Sequence, residues 1–347
     1  MKKIGLLITG GMIIVLLHTF FAYALDAPIS ADQIAINSII EIETCYHENY
    51  QKEDTSDIGL AKAEIGISSV FSDSINGYVL LAWDEEEDVF SIDDAVINLA
   101  CPQFSGISMS AGKLVVPFGR FETYMISDPM TLELAETRNT ALQLSAEKNG
   151  MYGSAYVFNG KVDEARENDI IKCFGLNTGW TLEMDDLNLD MCLGFINNLP
   201  ESGNISDTIK ENEWEIKGYM GGLSFYGKVQ FKGLILIGEY ITGLEDFKYL
   251  DGNGLEESGE PSAAHVELGY TFDIRAKGMV VSLAYEKTDN CLYLELPEQR
   301  ILSVIGFNIA EGLSLFGEYK LDYDYGKKEG GTGETANTLT CLLALEY

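Results

Sequence analysis

Apolar residues alternate with polar ones along most of this sequence, and this period of two constrains the fold more than any other feature. After residue 24, no apolar stretch approaches the ~20 residues that a membrane-spanning helix needs, although hydrophobic residues make up 46% of the chain. In segments such as 40–44 (Ile-Glu-Ile-Glu-Thr), the alternation gives an extended strand one apolar and one polar face. The chain has 35 Gly but only 7 Pro, which favours tight reversals between antiparallel strands.

Sixteen segments carry this alternation, the first at 36–46 and the last at 336–347. An antiparallel barrel with both termini on one side closes only with an even number of strands. Short connections, such as 227–228, alternate along the chain with long ones, such as 117–140 and 198–216. We therefore predict an all-β fold: a transmembrane antiparallel β-barrel of about sixteen strands. A buried sandwich core is the alternative that periodicity alone leaves open.

The amino terminus has the features of an export signal. Lys2 and Lys3 precede an apolar run over 4–21, and Ala22-Tyr23-Ala24 is a small-x-small cleavage site. We predict a signal peptide over residues 1–24, cleaved after Ala24, and a barrel domain over 25–347 in the outer membrane of a bacterial cell. An uncleaved membrane anchor is the alternative, since the run is long enough to span a bilayer.

The charge and the chemistry-bearing residues exclude several classes of function. A net charge of −32 disfavours nucleic-acid binding, which needs a basic face. The six Cys show no CxxC or Cys/His spacing, so we predict neither a metal site nor a cofactor. Beyond residue 24 the only histidines are His47 and His265, and no nucleophile and base pair is evident. We therefore predict that the protein is not an enzyme.

The polar parity of each strand is predicted to line an aqueous lumen. A charge facing the bilayer midplane costs about 2–4 kcal/mol, so the apolar parity faces lipid. A barrel of sixteen strands leaves a water-filled channel, whereas eight strands would be filled by side chains. The residues predicted to face the lumen are Glu41, Glu43, Lys62, Glu64, Asp190, His265, Glu267, Glu286, Glu318, Lys320 and Asp322.

The third long connection is unusually apolar for a solvated loop. Phe118, Phe121, Tyr124 and Met130 are interspersed with charged residues between 117 and 138. This composition predicts that the connection folds into the lumen, narrows the pore and sets its selectivity. A connection packed on the barrel rim, away from the solute, is the alternative. The predicted constriction residues are Lys113, Arg120, Glu122, Asp128, Glu133, Glu136 and Arg138.

Residues 92–160 resemble two families of outer-membrane channels. The run 112–119 (Gly-Lys-Leu-Val-Val-Pro-Phe-Gly) resembles the strand and Pro-Phe turn of phosphate-selective porins. The stretches 127–137 and 153–160 are more similar to the legiobactin-type siderophore porins. That resemblance implies TonB-independent passage of a ferric siderophore through the outer membrane.

The sequence thus predicts a passive outer-membrane channel for a small solute, with uptake of a ferric siderophore as its specific function. Because the predicted lumen is mostly acidic, a general cation-leaning porin is one alternative. A structural or adhesive surface barrel that transports nothing is the other. The predicted partners are outer-membrane lipid and the solute, and a homotrimer is left open.

Overall fold

The computed structural model describes residues 33–84, 89–162, 170–251, 254–257 and 259–347. The predicted signal peptide, residues 1–24, lies outside the described residues. Sixteen strands form one closed barrel, which confirms the predicted fold class. With all strands numbered along the chain, the barrel strands are β1 (Ile34–Glu48), β2 (Asp54–Ser72), β3 (Ile75–Asp84), β4 (Val89–Ala100), β5 (Ile107–Val115), β6 (Arg138–Lys148), β7 (Met151–Phe158), β8 (Cys173–Glu183), β9 (Leu187–Ile196), β11 (Gly222–Phe231), β12 (Leu234–Gly243), β15 (Ser262–Ile274), β16 (Lys277–Asp289), β17 (Gln299–Ala310), β18 (Leu313–Tyr323) and β19 (Thr335–Glu346).

Each barrel strand pairs antiparallel with the barrel strands before and after it in the chain. The ring closes where β1 pairs with β19, with Ile40 opposite Leu345 and Glu41 opposite Ala344. Strands that pair with their neighbours in sequence can be joined by tight turns at one end of the barrel, in agreement with the short connections of the sequence. Closure leaves no free sheet edge, and it rules out the sandwich.

The two faces of the barrel differ as the alternation predicts. Large apolar side chains point outward and are exposed, for example Ile97 at 57%, Leu193 at 56% and Leu283 at 62%. Residues of the opposite parity point into the barrel. A surface so rich in exposed aliphatic side chains suits a hydrocarbon environment and not water.

One predicted turn is wrong. The sequence predicted a reversal at 227–228, but β11 continues through these residues, and Gly227 pairs with Gly238. The chain turns at Lys232 and Gly233, both with positive φ (49° and 86°). A Cβ on Gly233 would lie 2.5 Å from the carbonyl oxygen of Thr271, so glycine is required there.

The long connections pack together at one end of the barrel. They contain helices α1 (Met130–Ala135) and α2 (Gly203–Glu211), 3₁₀ turns at Leu199–Glu201 and Leu292–Leu294, and a small sheet of β10 (Glu215–Ile216), β13 (Lys248–Asp251) and β14 (Gly254–Glu257). Phe118, Met130, Leu134, Ile205 and Phe247 belong to the apolar core that they share. No helix within the described ranges is long and apolar enough to cross a membrane. The largest buried core therefore lies at the mouth of the barrel.

Candidate functional site

The connection between β5 and β6, residues 116–137 and here called the third connection, folds into the lumen as predicted. Phe118 is 1% exposed at its start, and the Ser224 hydroxyl of β11 donates a hydrogen bond to its carbonyl oxygen. A Cβ at Gly194 would lie 2.3 Å from that oxygen. Glycine on β9 therefore lets the backbone of the connection lie directly against the wall.

Glu239 on β12 provides the first anchor for the third connection. Its carboxylate accepts hydrogen bonds from the backbone N–H of Arg120 at 2.8 Å and of Phe121 at 3.2 Å. The Thr131 hydroxyl donates a third bond at 2.8 Å. Three donors on one carboxylate satisfy a charge that would otherwise be costly to bury.

Two further carboxylates repeat this arrangement along the wall. Glu267 on β15 accepts a bond from the Thr123 hydroxyl at 2.7 Å and one from the backbone N–H of Tyr124 at 3.2 Å. Glu318 on β18 accepts bonds from the backbone N–H of Ile126 at 2.5 Å and from the Ser127 hydroxyl at 2.6 Å. The three anchoring glutamates are at most 5% exposed. They hold the connection against the wall and are shielded from the lumen.

Beside these anchors, charged residues of alternating sign cross four neighbouring strands. His265, Glu286, Arg300 and Asp322 are consecutive cross-strand partners on β15, β16, β17 and β18. His265 Nδ1 lies 2.7 Å from Glu286 Oε1, and Arg300 Nε donates to Asp322 Oδ1 at 2.7 Å. All four side chains are buried. In this row each buried ionisable side chain has a hydrogen-bonded or ion-paired neighbour, so removing one partner would leave another buried group unpaired.

The wall formed by β1 and β2, which the ring joins to β18 through β19, keeps its charges in the open lumen. The register pairs Glu41 with Lys62 on the face of the buried Ala344, which is the interior face. Glu43 has the same parity, and Lys62 Nζ lies 3.7 Å from Glu64 Oε1. These four predicted residues, unlike the anchors, are not sealed by the third connection. Lys320 on β18 faces inward opposite the buried Leu302.

Two charged residues of the third connection project toward strands β7, β9 and β11. The Arg120 guanidinium lies over the Tyr152 ring at 5.1 Å, and its Nη2 is 3.9 Å from Asp190 Oδ2. Glu122 accepts a hydrogen bond from Lys228 Nζ at 2.5 Å. The four ionised side chains are 22% to 41% exposed, so they combine ion pairing with access to the lumen.

Three other predicted constriction residues follow on the returning half of the third connection. Asp128 is exposed. Glu133 accepts a hydrogen bond from Asn204 of α2, and burial raises the pKa of Glu133 although this bond opposes the shift. Glu136 Oε1 lies 3.1 Å from Arg138 Nη2. The structure therefore does not gather the predicted constriction residues into one cluster.

Lys113 and Arg138 do not lie on the lumen side, in contrast to the prediction. Lys113 pairs with Ala95, whose parity is that of the exposed Ile97, and donates a hydrogen bond to the Ile92 carbonyl. Arg138 pairs with Val115, two residues after Lys113 in β5, and forms ion pairs with acidic residues at the end of the barrel. Apolar residues occupy both parities around 114–116, so the alternation could not assign a face there.

The sequence analysis did not identify two residues that shape the site, Glu239 and Arg300. Glu239 shares its face of β12 with Ile235, Ile237 and Ile241, which are buried beneath the third connection. Because the outward parity of β12 is also apolar, alternation could not identify an inward carboxylate. Arg300 could not be identified because its partners, Glu286 on β16 and Asp322 on β18, come from other strands. Within the described part of the chain, no group of three or more His, Cys, Asp or Glu is arranged to hold a metal ion.

Comparison with known proteins places the chain among outer-membrane barrels in fold. No protein-family model matches the sequence. A UPF0422 protein of Coxiella burnetii is 25% identical over 320 residues, which cover 89% of this chain and 69% of that relative. The outer-membrane channel DcaP of Acinetobacter baumannii aligns with a TM-score of 0.63 at 10% identity, over 93% of this chain and all of that one. A trimer form of OmpT, an outer-membrane protein of Vibrio cholerae, aligns at 0.55 and 13% identity, over 90% of this chain and 99% of that one. At these identities the structural likeness is one of fold.

Proposed function

We propose that this protein is a passive channel for small solutes through a bacterial outer membrane. The observation that carries the proposal is the asymmetric position of the third connection. It is anchored on the wall from β11 to β18, whereas β1 and β2, beyond β19, keep polar and charged side chains in the open. Lys62, for example, has a side chain that is 45% exposed. A barrel of this size with an uncovered polar wall provides an aqueous path.

The buried anchors change the electrostatics that a solute would meet. Glu239, Glu267 and Glu318 are sealed and hydrogen-bonded, so a solute in the open lumen cannot contact their carboxylates directly. The accessible groups carry both signs: on the wall Glu41, Glu43, Glu64 and Asp190 with Lys62, Lys228 and Lys320, and on the third connection Glu122 and Asp128 with Arg120. We propose Arg120 and Glu122 as selectivity residues and a weak preference for cations.

Ferric-siderophore uptake is the finer form of the proposal. It is supported by the resemblance over 92–160 and by the sealing of wall acids, which would otherwise repel an anionic siderophore. Growth on the siderophore under iron limitation, with and without the gene, tests this function. Equal growth with and without the gene would contradict siderophore uptake and would favour a general porin.

The proposed location and assembly follow from the outer surface. The exposed aliphatic side chains suit a bilayer, and a signal peptide over 1–24 would export the chain. A homotrimer is proposed on the precedent of the trimeric OmpT. Crosslinking of the purified protein in detergent tests the trimer.

Conductance in planar bilayers is the decisive test of the channel. Residues 25–347, refolded in detergent and shown to be folded by a heat-dependent shift on gels, should insert with discrete conductance steps. The reversal potential in a KCl gradient should favour K⁺ slightly. Folded protein that inserts without conductance would refute the channel and would favour the structural or adhesive barrel.

A further inference from the structure

The inner wall formed by β3 to β8 differs from the rest of the lumen because most of its inward-facing hydrogen-bonding residues are uncharged, with Asp94 and Glu147 as charged exceptions. Two adjoining rows of inward-facing residues cross these strands. The first row contains Asn76, Asn98, Ser110 and Gln143, and the second contains Ser108, Ser145, Ser154 and Asn177. Their parity is opposite to that of the exposed Ile97, Leu144 and Leu176.

Neighbours within this wall are joined by hydrogen bonds. Asn98 Nδ2 donates to Asn76 Oδ1 at 2.9 Å, and Ser110 Oγ donates to Asn98 Oδ1 at 2.6 Å. Gln143 Nε2 donates to Ser145 Oγ at 2.8 Å. These bonds fix the side chains, and each amide and hydroxyl retains further donor or acceptor capacity for a ligand.

A cavity of about 380 Å³ lies against the second row, beneath the third connection. Its lining includes Gln143, Ser145, Ser154, Asn177, Tyr152 and Arg120. The volume falls within the roughly 300–1,000 Å³ of small-molecule sites. The wall therefore has a cavity large enough to bind a small solute.

The charges at this cavity compensate each other. Arg120 is the cation of the lining and Glu147 the anion, and Arg120 also lies beside Asp190 and over the Tyr152 ring. An ionic solute would gain little net attraction there and would lose hydration. A neutral solute with many hydroxyls can exchange hydrogen bonds with amides and serines as it exchanges them with water.

We propose that this wall is a binding track for neutral polyhydroxylated solutes, that is, saccharides, with the cavity at Gln143 and Asn177 as its main site. The proposal rests on the proposed channel function, not on siderophore uptake, and names a further class of solute for the same channel. Several weak, adjacent sites favour transport, because a solute must leave each site as readily as it enters.

Saccharide block of the ion current tests the track. Maltose added to bilayers that contain the wild-type channel should lower the current saturably, whereas gluconate and polyethylene glycol of similar mass should not. The double variant Gln143→Ala/Asn177→Ala should raise the half-saturating maltose concentration about tenfold, the effect of losing two ordinary hydrogen bonds. Asn188→Ala, on the inner face of β9 outside this cavity, is the control and should leave block unchanged.

The outcomes separate the two proposals. A conducting channel with no saturable maltose block, or with block unaffected by the double variant, would overturn the track and leave the channel standing. Folded protein without conductance would overturn the channel. Equilibrium dialysis of radiolabelled maltose against the protein in detergent would then decide the track, and absence of binding would refute it.

Discussion

Replacing Glu239 by Gln should partly release the third connection from the wall. The carboxylate accepts two backbone N–H bonds, from Arg120 and Phe121, and one bond from the Thr131 hydroxyl. A hydrogen bond to a charged group contributes about 1.5–3 kcal/mol. Glutamine keeps one acceptor oxygen but turns an NH₂ group toward donors, so we expect docking to weaken by about 3 kcal/mol. That change raises the undocked population roughly a hundredfold.

Single-channel recording and amide hydrogen exchange measure this release. The variant should show frequent excursions to a higher conductance, because the undocked connection no longer narrows the lumen. The amides of 120–127 should exchange faster while those of the barrel strands do not. Amide hydrogen exchange reports release of the third connection even if the protein does not conduct ions.

Glu43→Gln is the matched control for Glu239→Gln. It removes the same charge from the interior face of β1, whereas the anchoring bonds of 120–127 run to β12, β15 and β18. The control should change ion selectivity only. If Glu239→Gln exchanged and conducted as the wild type does, the anchoring role of the buried glutamates would be refuted.

Substitutions of Arg120, Arg138, Arg300 and Glu201 test other contacts of the long connections and the barrel wall. Arg120→Ala should shift the reversal potential toward cations without unfolding the protein, because Glu239 holds the backbone N–H of Arg120 and not its side chain. Arg138→Ala should leave the selectivity unchanged, because the register places Arg138 away from the lumen. An equal shift in both variants would contradict that placement. Arg300→Met should lower the free energy of unfolding by about 3–5 kcal/mol, because the buried carboxylates of Glu286 and Asp322 lose their guanidinium partner. Urea unfolding from vesicles measures this change, and an unchanged unfolding midpoint would contradict it. Glu201 accepts the backbone N–H of Lys161 at 2.6 Å, and burial raises the pKa of Glu201. Because the folded protein favours the protonated carboxyl, Glu201 should contribute fully to loop packing below pH 4.5, the ordinary pKa of a glutamate. This contribution should fall as the pH rises through the raised pKa. Protease cleavage within 198–221 should increase over this pH range in the wild type but not in Glu201→Gln. Cleavage of the wild type that did not change with pH would refute the role of Glu201.

The alternation of the sequence was sufficient to predict the barrel. On β1, the exposed Ile40 and Ile42 and the inward Glu41 and Glu43 take the positions that period two requires. Each strand carries this information locally, because neighbouring side chains point to opposite faces of a sheet. The even number of strands and the lengths of the connections completed the prediction of a closed ring.

The predicted site was less complete because function there depends on partners distant in sequence. The apolar composition of 117–138 predicted an inward connection. It could not predict that Glu267 and Glu318, expected to line the lumen, serve as hydrogen-bonded anchors with 0% and 1% exposure. The turn at 232–233 was missed for a different reason, because both parities of β12 are apolar and do not define the register.

The sequence by itself therefore determined a closed barrel with an apolar exterior and a polar interior, since alternation is a local property of each strand. The tertiary structure decided which polar residues remain open to the lumen. Glu43 and Glu239 are the same residue type on the same inner surface, yet one faces the lumen and the other lies sealed beneath backbone amides from 118 residues away or more. A carboxylate becomes an anchor or a lining group only when the chain brings donors to it.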